Sequence, residues 1–121
     1  MALGRHKLTT RSRGNEFERH AERFLITQGL RLERRNYLCK LGEIDLIMRA
    51  GNTLVFVEVR YRRNRQFGGA AASVTQAKQQ KLRRTAYHYL QSMGLNEAQQ
   101  PCRFDLIACE GEQLNWIPNA F

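Results

Sequence analysis

No stretch of this chain approaches the roughly 20 consecutive apolar residues that a membrane-spanning helix needs. No apolar segment follows the charged start, so a secretory leader is not expected either. Cysteine is scarce. Cys39, Cys102 and Cys109 are odd in number and widely spaced, and match neither a zinc spacing nor a disulfide framework. They read as small, partly buried thiols of a protein in the reducing cytoplasm. His6, His20 and His88 have no partners at ligand spacing, so none is assigned to a metal. Neither G-x-G-x-x-G nor a Walker pattern occurs, which excludes Gly68-Gly69 as a nucleotide-binding loop. Internal repeats and low-complexity segments are absent. Acidic residues are also few: 11 Asp and Glu against 20 Lys and Arg, a net charge of +9. Such an excess speaks to partners more than to fold. Nucleic acid is the first candidate; an anionic membrane surface and ribosomal association follow.

What the chain does contain is a pair of alternating runs. Glu43-Ile44-Asp45-Leu46-Ile47-Met48 and Leu54-Val55-Phe56-Val57-Glu58-Val59-Arg60 flank the dipeptide Gly51-Asn52. Alternation predicts two β-strands, and Gly-Asn predicts a two-residue hairpin loop between them. Setting Ala50 opposite Thr53 puts Met48 opposite Val55, Leu46 opposite Val57 and Ile44 opposite Val59, one apolar face. On the other face Asp45 meets Glu58. Like charges directly opposed across a hairpin are unfavourable, and two carboxylates that close shift each other's pKa unless a cation lies between them. Carboxylate oxygens are what magnesium prefers.

The 121 residues suit one compact domain. Residues 1–13 carry Arg5, Lys7, Arg11 and Arg13 with almost no apolar content, and read as a mobile basic arm or a solubilising tail. Residues 14–121 form a single domain. A helix is predicted over Asn15–Gln28, with Phe17, Ala21, Phe24 and Leu25 on one stripe, Glu18 at its edge and Glu16 and Glu22 towards solvent. A strand follows near residues 30–38, then the hairpin. A loop spans residues 61–72. A second helix runs from about Thr75 to Met93, capped by Ser73 or Thr75, with Val74, Ala77, Leu82, Ala86, Tyr89, Leu90 and Met93 on its core stripe. Strands at residues 102–109 and 113–117 complete an α-β-β-β-α-β-β order, an α/β domain with a mixed sheet flanked by helices.

Asp45, Glu58 and Arg60 share the parity a site requires. Residues two apart on a strand face the same way, and Asp45 joins Glu58 and Arg60 across the hairpin. A metal held by Asp45 and Glu58 can activate water and clamp a phosphate oxygen, and a cation at position 60 would stabilise charge building on that phosphate. The bland alternatives are a solvated polar face for the acids and an Arg60–Glu43 cross-strand ion pair. Arg62, Arg63 and Arg65 form a charge run beside the acids, read as phosphate contacts or a solvated loop. Tyr61 and Phe67 interleave with them as base-stacking candidates, and Phe67 reads first as a packing residue beside Gly68-Gly69. Arg103-Phe104-Asp105 reads first as structural, and Trp116 as a lone core or edge aromatic.

The strand pair resembles the PD-(D/E)xK motif of the restriction-endonuclease-like superfamily: Asp45 matches its first acid, Glu58 its second, and Arg60 stands where lysine is usual. Glu18 fits the place of the helix-borne acid of archaeal-type Holliday-junction resolvases. More closely, the chain resembles the YraN-like family, through Glu18-x-x-Ala21-x-x-x-Leu25, Asn36, Gly42-Glu43-Ile44-Asp45-Leu46-Ile47, Phe56-Val57-Glu58-Val59-Arg60-Tyr61-Arg62, Phe67-Gly68-Gly69, Val74 with Lys78, and Arg103-Phe104-Asp105. The resemblance implies a restriction-endonuclease-like fold and magnesium- or manganese-dependent cleavage of DNA. Asp45 and Glu58 would hold the metal, Glu18 would assist, and Arg60 would stabilise the phosphate. Arg62, Arg63, Arg65 and Lys78 would meet nucleic acid, and Lys78 is also the candidate for a displaced lysine. A resolvase-like role implies a homodimer, although no dimerisation face is legible. Arginine at position 60 holds a phosphate but does not shuttle protons, which favours the alternative of a nuclease-fold binding module with little or no turnover. A third reading is an adaptor for an acidic protein partner.

Overall fold

A computed structural model describes residues 10–63 and 69–121, with side chains from residue 15 onward. Helix α1 (Thr10–Thr27) starts earlier than the sequence predicts, and residues 1–9 of the expected basic arm lie outside the described residues. Strands β1 (Arg31–Cys39), β2 (Gly42–Ala50) and β3 (Thr53–Arg62) follow, then helix α2 (Gln76–Ser92) and strands β4 (Cys102–Glu110) and β5 (Gln113–Ile117). The five strands lie in sequence order. Only β3 and β4 run parallel, joined by the α2 crossover, so the sheet is mixed as expected. No helix among the described residues is long and apolar enough to cross a membrane.

Each helix covers one face of the sheet. Ala21 and Leu25 of α1 pack on Leu46, Met48, Val55, Val57 and Ile107. Leu82, Ala86, Tyr89 and Leu90 of α2 pack on Ile44, Ile47, Leu54, Phe56 and Leu106. Two members of the predicted α2 stripe, Ala77 and Met93, are exposed instead. Thr75 is the N-cap and accepts from the Lys78 amide at 3.3 Å. Ser73 instead donates to the Ala70 carbonyl at the end of a short 3-10 turn. Gly42 lets the β1–β2 turn approach α2: a Cβ there would sit 2.8 Å from the Thr85 hydroxyl.

The hairpin register is as the sequence predicts from Ala50–Thr53 through Met48–Val55 to Leu46–Val57. There the described ladder ends, and the expected Ile44–Val59 pair does not form. Ile44 turns to the α2 face while Leu46 faces α1. Strict alternation would put both on one face. The same break occurs at the same level in β1, where Arg35 reaches α1 and Tyr37 packs under α2. Between them Asn36 has φ 49°, in the left-handed region. The two irregularities open a fork between β2 and β3.

Candidate active site

The fork is where the acids meet. With no ladder pair beyond Leu46–Val57, the free amide of Val59 needs an acceptor. The Asp45 carboxylate supplies it, at 2.9 Å. That contact draws Asp45 into the gap between strands, within hydrogen-bonding reach of both Glu58 and Glu18. The expected meeting of Asp45 and Glu58 therefore occurs, through a side chain inserted into a broken ladder rather than across an intact one. Glu18, on the sheet-facing edge of α1, joins them.

Burial makes this cluster costly to ionise. Desolvation first, then the charge of Glu58, pushes Asp45 up to about 8, against the opposing Val59 amide. Desolvation also raises Glu18 to about 7, countered by a hydrogen bond from Asn36 and reinforced by Asp45. Glu58 is raised by desolvation too, with the Arg60 charge as the main opposing influence and Lys78 helping. Without a cation, the acids hold a proton between them near neutrality.

Arg60 does not pair with Glu43. Its Nη2 lies 2.7 Å from Glu58 Oε2, on the same strand face two residues away. Its Nε is buried without a hydrogen-bond partner. The Arg60 side chain as a whole stays 23% exposed, so the guanidinium can still meet an anion such as a phosphate oxygen. Lys78, on the first turn of α2, is near enough for its charge to be felt at Glu58, a proximity the sequence alone did not reveal. Arg62 and Arg63 are exposed at the end of β3, and Arg62 donates to the Tyr61 carbonyl at 2.8 Å. Arg65 and Phe67 lie outside the described residues. Tyr61 is stacked on Phe17 at 4.2 Å between ring centroids and packs on the α1 core, so it is a packing residue rather than the expected base-stacking one.

Other polar groups near the cluster escaped sequence reasoning. Glu22 is buried rather than solvent-facing. Arg35 of β1 grips both of its oxygens, at 2.7 and 2.9 Å. Asn36 donates to Glu18 at 2.8 Å and to Glu43 at 3.3 Å. A small cavity of about 80 Å³ separates α1 from β1 here, lined by Glu18, Arg19, Glu22, Arg35 and Asn36 among others. A helix-periodicity argument sees only α1 and misses what β1 lays across it. Asp105 is structural, as read. It is fully buried and accepts from Arg103, from Trp116 Nε1 at 2.9 Å and from the Asn119 amide. His88 bonds Tyr37, and a separate cavity of about 550 Å³ beside the C-terminal half of α2 contains none of the three acids.

Among the described residues no three acidic, histidine or cysteine side chains form a ready-made metal cage. Magnesium does not require one: it keeps several waters and takes one or two carboxylates together with substrate phosphate oxygens. Asp45 and Glu58, in contact and with Arg60 paired to only one of them, fit that donor set.

Comparison with known proteins agrees with this part of the chain carrying the identity. The model of the family described as "Uncharacterised protein family UPF0102" matches residues 17–109, a span that holds the fork, all of α2 and the C-terminal part of α1. A UPF0102 protein of Aeromonas hydrophila is 59% identical over 110 residues, covering 91% of this chain and 85% of the relative. One from Nitrosospira multiformis is 52% identical over 117 residues, covering 94% and 96%. One from Yersinia enterocolitica is 50% identical over 114 residues, covering 94% and 97%. The chain belongs to the UPF0102, or YraN-like, family.

Proposed function

We propose that this protein is a magnesium- or manganese-dependent nuclease acting on DNA phosphodiesters, with four-way junctions and other branched structures as the favoured substrates. The observation that carries the reading is the meeting of two carboxylates, part-buried Asp45 and buried Glu58, in a broken ladder beside an Arg60 guanidinium 2.7 Å from Glu58. A divalent cation bound there would lower the pKa of a water and draw charge from the phosphate. Asp45 and Glu58 hold that cation, and Glu18 orients Asp45 from the α1 side. Arg60 donates to a non-bridging phosphate oxygen, and its charge offsets what builds up as water adds and the leaving oxygen departs. Lys78 adds a second positive charge from α2. Arg62, Arg63 and Arg65 bind flanking phosphates, which positions the strand without reading its sequence. In a resolvase, two such sites cut two strands, so that form of the proposal carries a homodimer; its setting is the cytoplasm.

The purified protein is incubated with linear, single-stranded, flap and four-way-junction DNA, with and without each metal. The expected result is metal-dependent cleavage that disappears in Glu58→Ala. A second reading, a DNA-binding module with little turnover, is favoured by the Arg60–Glu58 ion pair at 2.7 Å, which ties up one edge of the guanidinium. Tight binding without cleavage on every substrate would establish it and overturn the nuclease.

A further inference from the structure

Asn36 combines two features that ordinary strand geometry does not require. Its backbone sits at φ 49°, which Asn tolerates better than most residues but which still costs free energy. Its exposed carboxamide reaches two carboxylates from different elements, Glu18 of α1 at 2.8 Å and Glu43 of β2 at 3.3 Å. The residue lies between the Arg35–Leu46 and Tyr37–Ile44 pairs, level with Asp45, so the backbone turn in β1 and the fork in β2 fall side by side. We propose that Asn36 is a positioning residue for the acidic site, holding Glu18 against Asp45 so that the Asp45 carboxylate is set for a divalent cation. This rests on the reading of Asp45 and Glu58 as cation ligands.

The chemistry of the side chain suits the task. A carboxamide has two N–H donors and no charge. It fixes the direction of Glu18 and occupies Glu43 while leaving the negative charge of both available. Lysine or arginine here would hold the same carboxylates but neutralise them and compete with a cation. Aspartate would keep the left-handed backbone yet turn donors into acceptors and push Glu18 away. Exposure argues against a packing role, since no core contact depends on the Asn36 side chain.

The test is manganese binding to the full chain at fixed pH, followed by electron paramagnetic resonance of the free ion, with a double-mutant cycle. Asn36→Gly keeps the positive φ and removes the carboxamide. Its manganese affinity should fall about tenfold, the usual scale for losing a group that orients a metal ligand. Its melting temperature in chelator should stay at or above wild type, because glycine adopts this backbone freely. Glu18→Gln should also weaken binding, and the double variant should be no weaker than Glu18→Gln alone, because Asn36 acts through Glu18. Asn36→Asp should weaken binding although it adds negative charge. Wild-type affinity in Asn36→Gly, losses that multiply in the double variant, or tighter binding by Asn36→Asp would each overturn the proposal. Manganese binding without DNA cleavage by wild type would sink the nuclease reading and leave this one standing. No manganese binding by wild type would overturn both.

Discussion

Asp45→Asn should make the metal-free protein more stable, and the gain should depend on pH. Burial and the neighbouring Glu58 push the Asp45 carboxyl from 3.8 to about 8 in the folded chain. A carboxyl whose pKa is raised on folding binds its proton more tightly in the native state. Stability therefore falls as pH rises through the interval between the two values, and the loss is complete above the higher one. At about 1.36 kcal/mol per pKa unit, that interval sets a ceiling of roughly 6 kcal/mol. Water can enter the fork as the pair ionises, so about 2 kcal/mol between pH 5 and pH 8 is the expected size. An asparagine oxygen can still accept the Val59 amide, now at 2.9 Å from Asp45, so the fork should keep its shape. Urea denaturation in chelator at several pH values measures this directly. Wild type should lose clearly more stability towards pH 8 than Asp45→Asn, which keeps only the slope that Glu18 and Glu58 contribute. The melting difference at pH 8 should be roughly 8 °C, taking about 4 °C per kcal/mol for a domain of this size. Parallel pH profiles, or a variant less stable than wild type at pH 8, would refute the electrostatic account of the fork.

Wild type should melt higher in millimolar manganese, by about 2.7 kcal/mol of added stability when metal is at 100 times its dissociation constant, and Glu58→Gln should abolish the rise in a thermal shift assay. Replacing Arg62, Arg63 and Arg65 together with alanine should flatten the dependence of DNA affinity on salt by up to about 3 in log–log slope, read by fluorescence anisotropy. Arg60→Lys should keep cleavage and Arg60→Ala should lose it, measured as single-turnover rates on junction DNA. Asp105→Ala should cost about 3–5 kcal/mol in denaturant titration, because the Arg103 guanidinium and the Trp116 and Asn119 donors lose a fully buried partner.

The strands β2 and β3 were legible because alternation and the Gly51-Asn52 turn act over a few residues. Their register was correct as far as Leu46–Val57. Beyond that point the same arithmetic misplaced Ile44, since it assumed an intact ladder and nothing local to β2 announces the break. The break depends on β1, where Asn36 turns at φ 49° beside Asp45. Glu22 failed for a related reason: a helical wheel assigns it to solvent, and Arg35 from another element covers it. The expected Arg60–Glu43 pair was a cross-strand inference that lapsed with the ladder, leaving Glu58, on the same strand face, as the nearer partner. The acids were found by residue type and parity. Their mode of contact required the backbone.

The broken ladder also bears on why an arginine can occupy position 60. A lysine offers one nitrogen, so bonding Glu58 and a phosphate would draw on a single point charge. A guanidinium has separate edges. Here Nη2 is committed to Glu58 at 2.7 Å while the side chain stays partly exposed, so one guanidinium can steady a carboxylate and still meet an anion. The compact ammonium charge that a lysine would bring is present nearby in Lys78, which acts on Glu58 from α2. Splitting the two tasks between a strand arginine and a helix lysine leaves the charge balance of three acids against two cations. Glu43 adds a fourth negative charge that Asp45 and Glu18 both feel, so a divalent cation would cancel the excess. The arginine therefore does not by itself argue for a degenerate site: its geometry on Glu58 is compatible with a phosphate-binding role.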